Sequence, residues 1–215
     1  MKLALLAQLQ RDRAAKRPVV LATNLTTGED RLLYPAEDER ARELLARDEC
    51  TVVDEVFYEP FNPPLRLVIV GAVHVAQPLA RMAALAGFEV IVIDPRAAFA
   101  TTERFPGVTL VSKWPDEAMR ELAPDVRTAV VTLTHDPKLD DPALAEALRS
   151  PAFYVGCLGS KKTHAARLER LGALGFDDAQ LGRLHGPVGM RIGARTPAEI
   201  AVSIVAHIVE RLRTK

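Results

Sequence analysis

The chain has 215 residues, of which 48% are hydrophobic and 26% are charged, a balance typical of a globular protein with a buried core. Its 28 basic residues equal its 28 acidic ones, so the net charge gives no electrostatic reason to expect a nucleic-acid partner. The sequence has no apolar stretch of the ~18 residues that a membrane helix needs, and its first residues are too polar for a secretory signal. These features predict a cytoplasmic protein.

The first 62 residues predict a small α/β unit. Its elements in chain order are a strand PVVLATNL, a return strand RLLYP, a charged helix AEDERARELLARD and an edge strand TVVDEVFYEP. Leu44 and Leu45 are expected on the inner side of the helix. The stiff segment Asn62-Pro63-Pro64 marks the predicted boundary, which gives domains over 1–62 and 66–215.

From Leu65 onward, the sequence alternates between apolar strands and helices. The predicted strands are LRLVIVG, FEVIVID, VTLVS, RTAVVTLTH and AFYVGCLG, and the predicted helices are HVAQPLARMAALAG, PDEAMRELA, DPALAEALRS, SKKTHAARLERLGALG and TPAEIAVSIVAHIVERLR. Strands that are apolar throughout are typical of a parallel sheet covered on both faces. The fold class is therefore predicted as α/β, a doubly wound, Rossmann-like parallel sheet in the order 3-2-1-4-5 with the N-terminal unit as an appendage.

The turn after the first strand of this sheet resembles a dinucleotide-binding turn with one change. Gly71 occupies the position of the first glycine and Ala76 that of the third, and Asp94 is the acidic residue at the end of the second strand. Val73 stands where the second glycine lets the backbone approach a pyrophosphate, so the turn disfavours that group. A Rossmann-like fold without a ligand at this turn is the alternative.

Polar side chains are expected to meet at the carboxyl ends of the strands, where open parallel sheets bind ligands. His74 follows the first strand, and Thr134, His135 and Asp136 follow the fourth. A Thr-His-Asp triplet there is consistent with hydrogen bonding or acid–base chemistry. His74 is equally consistent with a solvent-facing helix start, and Asp136 before a proline with a plain turn.

Two basic segments are predicted at the same edge. Gly159-Ser160-Lys161-Lys162 opens a helix, and lysines beside free N–H groups indicate a bound anion, although two solvated lysines would look the same. The loop over 94–107 contains Arg96 and Arg104 with Phe99 and Phe105. It is suited either to clamp a flat, anionic ligand or to pack on the edge of the sheet.

Three further residues are predicted to be structural. Cys157 lies inside an apolar strand, which predicts a buried and unreactive thiol. Thr196 begins a capping box that starts the last helix. His207 falls on a polar stripe of that helix with Glu199 and Ser203, and a role in a ligand site is the less favoured alternative.

Five segments resemble, in order and spacing, the Rossmann domain of the XdhC/CoxI family. They are GAVHVAQPLA, IVIDPRAAFATTERFP, THDP, YVGCLGSKKT and GPVGMRIGARTPAEIAVSIVAHI, and together they cover about residues 66 to 213. Members of this family are accessory factors of molybdenum-containing hydroxylases such as xanthine dehydrogenase. The resemblance implies a carrier rather than a metabolic enzyme: a chaperone that binds molybdenum cofactor, assists its sulfuration and inserts it into the apo-hydroxylase.

The same resemblance implies the ligand, the partners and the site. The cargo is expected to be the molybdenum cofactor, as molybdopterin or its cytidine dinucleotide form. The partner is expected to be an apo molybdenum hydroxylase, with a cysteine desulfurase and a second copy of the chain as further candidates. No catalytic or metal-ligating residue is assigned. The expected cofactor-binding residues are Gly71, Ala72, His74, Val75, Asp94, Arg96, Arg104, Thr134, His135, Asp136, Gly159, Ser160 and Lys161.

The chain also departs from the family pattern. Val73 replaces a glycine, and His207 stands where the family has glutamate, so contacts at these two points are expected to differ. The first 62 residues lack the Ser-x-x-Arg-x-x-Gly and Gly-Gly-Cys segments of the larger N-terminal domain in relatives. Two alternatives stay open: an NAD(P)-dependent oxidoreductase, with Asp94 on the ribose and His135 as acid–base, and a docking module that binds no cofactor.

Overall fold

The chain folds into two compact units, one ending at Pro63 and the other beginning at Pro64, in a computed structural model that describes residues 2–214. Among these residues, none of the helices is both long enough and apolar enough to cross a membrane.

The first unit is a four-stranded antiparallel sheet with two helices. Its elements are α1 (Leu3–Ala14), β1 (Val19–Asn24), β2 (Asp30–Leu33), α2 (Glu39–Arg47), β3 (Thr51–Val53) and β4 (Val56–Phe61), with strand order β2-β1-β4-β3. Leu44 and Leu45 of α2 are buried against the sheet, as the sequence predicts.

Two features of this unit differ from the sequence prediction. Helix α1 is not predicted, because its apolar residues follow no clear helical stripe. The single edge strand predicted over 51–60 is wrong: Asp54 and Glu55 have φ angles of 50° and 61°, which turn the chain into a hairpin. Of the two strands in this hairpin, β3 lies at an edge of the sheet, while β4 is an inner strand between β1 and β3.

The second unit is a six-stranded parallel sheet between helices, which confirms the predicted fold class. Its elements are β5 (Leu65–Val70), α3 (Ala76–Leu85), β6 (Phe88–Ile93), β7 (Thr109–Val111), α4 (Pro115–Leu122), β8 (Thr128–Thr132), α5 (Pro137–Arg149), β9 (Tyr154–Cys157), α6 (Lys161–Ala173), α7 (Asp178–Leu181), β10 (Leu184–His185) and α8 (Pro197–Arg213). The strand order β10-β9-β8-β5-β6-β7 contains the predicted 3-2-1-4-5 arrangement plus β10, which is not predicted.

Both faces of this sheet are buried, which explains why its strands are apolar throughout. Leu67 and Ile69 of β5 pack on one face with α3 and α8, and Val68 and Val70 pack on the other face with α4 and α5. Successive side chains of a strand point to opposite faces, so a strand covered on both sides has polar residues only near its ends, as Arg66, Glu89 and Thr132 are. Polar side chains are therefore concentrated beyond the strand ends.

Three aromatic rings form a cluster where β9 and β10 meet α8. The Tyr154 hydroxyl is hydrogen bonded to Nδ1 of His207 at 2.9 Å, and the Tyr154 and His185 rings stack with centroids 4.8 Å apart. The predicted polar stripe on α8 is wrong for two of its three members. Ser203 is buried and His207 is half-buried, and only Glu199 faces solvent.

Acidification is expected to destabilise the fold through His185. Burial, together with the positive charges of His207 and Arg211, lowers the pKa of His185 to about 4 from 6.5. Between these values the unfolded chain binds a proton that the folded chain does not, so stability that is present above the unfolded pKa is lost as the pH falls. We expect this residue to lower the free energy of unfolding by about 2 kcal/mol between about pH 7.5 and about pH 5, measured by urea unfolding.

The control for this prediction is His185→Phe, which retains a stacked ring but cannot titrate. Its stability should lack the component of the pH dependence that His185 contributes. An identical pH dependence in the wild type and the variant would contradict the prediction.

Candidate functional site

The candidate site lies at the carboxyl ends of β5, β6 and β8, beside the point where the strand order reverses, and we call this region the crevice. Gly71 lies at the end of β5. The Gly71 N–H donates to the carbonyl of Ile93 at 2.8 Å, and its φ of 104° is one that residues with side chains rarely adopt. A Cβ added at Gly71 would clash with Cγ2 of Thr134. Glycine is therefore required here because Thr134, from the end of β8, packs directly on the turn.

Asp94 is fully buried behind this turn and is saturated by donors of the protein. One carboxylate oxygen accepts from the backbone N–H of Ala72 at 2.8 Å and from Nη2 of Arg96 at 2.8 Å. The other accepts from the backbone N–H and from Nε of Arg96 at 3.0 and 2.9 Å. Burial alone would raise the pKa of Asp94, but these hydrogen bonds outweigh it and lower the pKa. A carboxylate has about four acceptor sites, so Asp94 supports the turn and is not a free acceptor for a ribose hydroxyl.

Arg96 presents a cationic surface at the crevice. Its side chain is 42% exposed and lies over the Phe99 ring, 4.5 Å from the centroid. The pKa of Arg96 is raised, mainly by its hydrogen bonds to Asp94 and further by the charges of Asp94 and Asp136. Thr134 packs on Gly71 and Asp94 accepts from Ala72, so the loops after β6 and β8 both border the same turn.

Arg104 is held within its own loop. Its Nη1 donates to the carbonyl of Phe99 at 2.5 Å, and its guanidinium lies over the buried Phe105 ring. The loop over 94–107 thus combines the two alternatives that the sequence leaves open. Arg104 and Phe105 hold the loop together, while Arg96 and the exposed ring of Phe99 face outward.

The loop formed by Thr134, His135 and Asp136 (the 134–136 loop) is held by Asp140, a residue that the sequence reasoning missed. Asp140 is fully buried, and one of its oxygens accepts from Thr134 Oγ1 at 2.6 Å and from Thr134 N at 3.3 Å. Its other oxygen accepts from the His135 N–H at 3.1 Å. His135 has a φ of 62°, and Asp136 caps α5 by accepting from the backbone N–H of Lys138.

Arg167 of α6 is the partner of Asp140. Only 2% of its side chain is exposed, and its Nη2 donates to Asp140 at 3.4 Å and to the carbonyl of Leu158 at 3.3 Å. Burial raises the pKa of Asp140, although the Thr134 hydrogen bond and the Arg167 charge oppose this shift. One sequence signal could have identified Asp140: it stands three and four residues before Ala143 and Leu144 on an apolar helix face.

The predicted anion site at the start of α6 has the expected helix geometry. Ser160 caps the helix by accepting from the Thr163 N–H at 3.1 Å, and Lys161 is exposed in the first turn. Gly159 packs beside Arg167, so this segment is connected to the 134–136 loop through the buried Arg167. Cys157 is fully buried, as predicted, and burial raises its pKa to about 11.

Two predicted site residues point away from the crevice. Val75 is buried in the core, and His74 lines a groove along α3 with Gln77 and Arg81. Val73 also packs against the core. The structure therefore brings together Gly71, Ala72, Asp94, Arg96, Thr134, His135 and Asp136. Within residues 2–214, it shows no group of three His, Cys, Asp or Glu side chains placed to bind a metal ion.

The chain is similar to several known proteins. Residues 67–208 match the model of the XdhC Rossmann domain. A Bacillus subtilis protein, named as a probable subunit of xanthine dehydrogenase, is 35% identical over 156 residues, 72% of this chain and 45% of the relative. The molybdenum cofactor insertion chaperone PaoD of Escherichia coli is 31% identical over 148 residues, 69% of this chain and 40% of the relative. The chain spans less than half the length of the curated relatives it matches.

A solved structure is similar over nearly the whole chain. It is described as a xanthine dehydrogenase from Bacillus halodurans, and it aligns with a TM-score of 0.77 at 25% identity. The alignment covers 99% of this chain and 68% of that one.

Proposed function

Because the chain belongs to the XdhC family, whose Rossmann domain covers residues 67–208, we propose that it binds molybdenum cofactor and assists the maturation of a molybdenum hydroxylase such as xanthine dehydrogenase. The observation that most supports this proposal is the similarity to a relative named as a molybdenum cofactor insertion chaperone. In this role the chain is a carrier, and the cofactor is its cargo.

The crevice has the chemistry that an anionic, flat cofactor requires. Asp94 engages two of the five N–H donors of Arg96, which leaves donors on its exposed side for a phosphate oxygen. The exposed ring of Phe99, over which the Arg96 guanidinium lies, adds an aromatic group beside this cation that a pterin can contact. We assign Arg96 to the phosphate, the 134–136 loop to the polar edge of the pterin, and Lys161 to additional positive charge.

The saturated Asp94 argues against the NAD(P)-dependent alternative. A dinucleotide fold needs an acidic residue that accepts hydrogen bonds from the ribose, and here both carboxylate oxygens are occupied. Molybdopterin itself has no ribose, so it does not need this acceptor. The geometry therefore favours molybdopterin over a ligand held as in nicotinamide enzymes.

The partners follow from the proposed role. A carrier needs an apo molybdenum hydroxylase that receives the cofactor. If the terminal sulfur is added while the cofactor is bound here, a cysteine desulfurase is the class of enzyme that supplies it. Both partners are part of the proposal, as is the sulfuration step.

Charge reversal at Lys161 is expected to weaken cofactor binding by about tenfold, because a carboxylate would then face the anion across the helix start. Equilibrium dialysis of the purified protein against molybdenum cofactor, followed by molybdenum analysis, measures this for the wild type and for Lys161→Glu. Arg149→Glu is the control, because Arg149 lies in the last turn of α5, at the end of this helix away from the 134–136 loop. A parallel titration with NAD tests the alternative: saturable NAD binding without cofactor binding would contradict the proposed function.

A further inference from the structure

We propose that Asp140 and Arg167 are a buried positioning pair, which holds the 134–136 loop in the conformation that receives the cofactor. This inference rests on the proposed function and adds two residues that do not themselves face the crevice. Asp140 acts through Thr134 and His135, and Arg167 acts through Asp140.

The geometry of Asp140 is specific to a carboxylate. Its two oxygens accept from three donors of the 134–136 loop: Thr134 N, Thr134 Oγ1 and His135 N. An asparagine offers one acceptor oxygen and turns an NH₂ group toward the remaining donors, so it cannot reproduce this arrangement. The carboxylate of Asp140 is therefore matched to the three donors of the loop.

Arg167 fixes the direction of Asp140 by connecting it to the neighbouring strand. In addition to Asp140, the guanidinium contacts the Leu158 carbonyl and, through Nη1 at 3.0 Å, the sulfur of Cys157. Buried ion pairs stabilise a fold little better than apolar side chains of the same size. Stability alone therefore does not account for a charged pair at this position, whereas the placement of the 134–136 loop does.

The backbone conformation of His135 is what the Asp140–Arg167 pair maintains. Its φ of 62° lies in the left-handed region, which is unfavourable for a residue with a side chain. The hydrogen bond from the His135 N–H to Asp140 holds the backbone in this conformation. Non-glycine residues held in such conformations are concentrated at functional sites.

A second ion pair between the same two helices provides a matched control. Arg170 donates to both oxygens of Asp141, through Nε at 2.5 Å and Nη2 at 3.0 Å. This pair also connects α5 to α6, and Asp141 lies 3.9 Å from Nε of Arg167 as well. Neither Asp141 nor Arg170 contacts the 134–136 loop, and Arg170 is 40% exposed. Because the Asp140–Arg167 pair is the more buried of the two, its loss costs more stability in any case, so the comparison rests on His135 exchange and on cofactor binding.

The experiment compares two double variants, Asp140→Asn/Arg167→Met and Asp141→Asn/Arg170→Met, each of which removes a charge pair without leaving an unpaired charge. Amide hydrogen exchange of His135, measured by NMR, reports the loop directly, and equilibrium dialysis reports the affinity for molybdenum cofactor. In the first variant we expect at least tenfold faster exchange at His135 and roughly ten- to hundredfold weaker binding. The second variant should match the wild type in both measurements.

The outcomes separate this inference from the proposed function. If the wild type binds cofactor and the two double variants bind it equally well, the positioning role is overturned. If the wild type does not bind cofactor, the proposed function fails, and the exchange rate of His135 alone decides whether the pair holds the loop. Should the first variant not fold, Thr134→Val removes one donor to Asp140 and retains the side-chain shape. It should then weaken binding by about tenfold, and unchanged binding would overturn the inference.

Discussion

Replacing Gly71 with alanine is expected to lower the free energy of unfolding by about 3 kcal/mol and to abolish cofactor binding. A left-handed backbone costs a residue with a side chain about 1–2 kcal/mol, and forcing a methyl group into a packed site costs about 1–3 kcal/mol more. Both terms apply here, because φ is 104° and the new Cβ would clash with Cγ2 of Thr134. Relief of the clash would move Thr134 and with it the 134–136 loop. Urea unfolding and cofactor dialysis measure the two effects.

The variant Gly107→Ala separates the cost of a positive φ from the cost of the clash with Thr134. Gly107 also has a positive φ, 73°, but nothing lies within 4 Å of the Cβ that alanine would add, so only the backbone cost of about 1 kcal/mol should appear. Adding Thr134→Ser to Gly71→Ala removes the clashing Cγ2 and should restore part of the lost stability. If Gly71→Ala is no more destabilising than Gly107→Ala, the close packing of Thr134 on the turn adds nothing to the cost, which contradicts the prediction.

Replacing Arg167 alone with methionine is expected to cost about 3–5 kcal/mol at neutral pH. Removal of one member of a buried ion pair leaves the other as an uncompensated charge, and Asp140 is fully buried. Chemical denaturation of the variant and the wild type measures this loss. Arg170→Met should cost less, because the side chain of Arg170 is 40% exposed and its loss is screened by solvent.

The loss of unfolding free energy in Arg167→Met should depend on pH in a defined direction. Burial already raises the pKa of Asp140, and the Arg167 charge opposes this shift, so its removal raises the pKa further. A carboxyl group with a raised folded-state pKa favours the folded state below its unfolded pKa, and this contribution is lost as the pH rises through the folded pKa. The deficit relative to the wild type should therefore shrink toward about pH 4. A deficit that is constant with pH would contradict a buried, ionised Asp140.

Most of the second unit could be predicted from the sequence because its strands have a strong signal. Five apolar runs, each bounded by glycine, proline or charged residues, correspond to β5 to β9. Strand β10 has only two residues and is defined by pairing with β9, so no local pattern identifies it. The hairpin at Asp54 and Glu55 was missed because neither residue is a glycine or asparagine, the residues that usually mark such turns.

The site could be predicted only where the topology of the sheet determines it. Gly71, Asp94 and Arg96 are joined by contacts between neighbouring strand ends, which the topology of a parallel sheet implies. Asp140 and Arg167 are separated by 27 residues and meet only because α5 and α6 pack side by side. Side-chain direction also escaped prediction, since His74 and Val75 follow the turn but point to the outer groove and the core.

The full occupancy of the Asp94 carboxylate has an implication for how this scaffold could change its ligand during evolution. A glycine at position 73 would widen the turn, but the acid that a nucleoside sugar requires would remain bound to its own loop. For Asp94 to accept hydrogen bonds from a ribose, the Arg96 guanidinium would have to leave at the same time, which would expose a buried negative charge before any new ligand compensated it. A ligand that requires this acceptor is therefore separated from the present geometry by two coupled substitutions with an unstable intermediate.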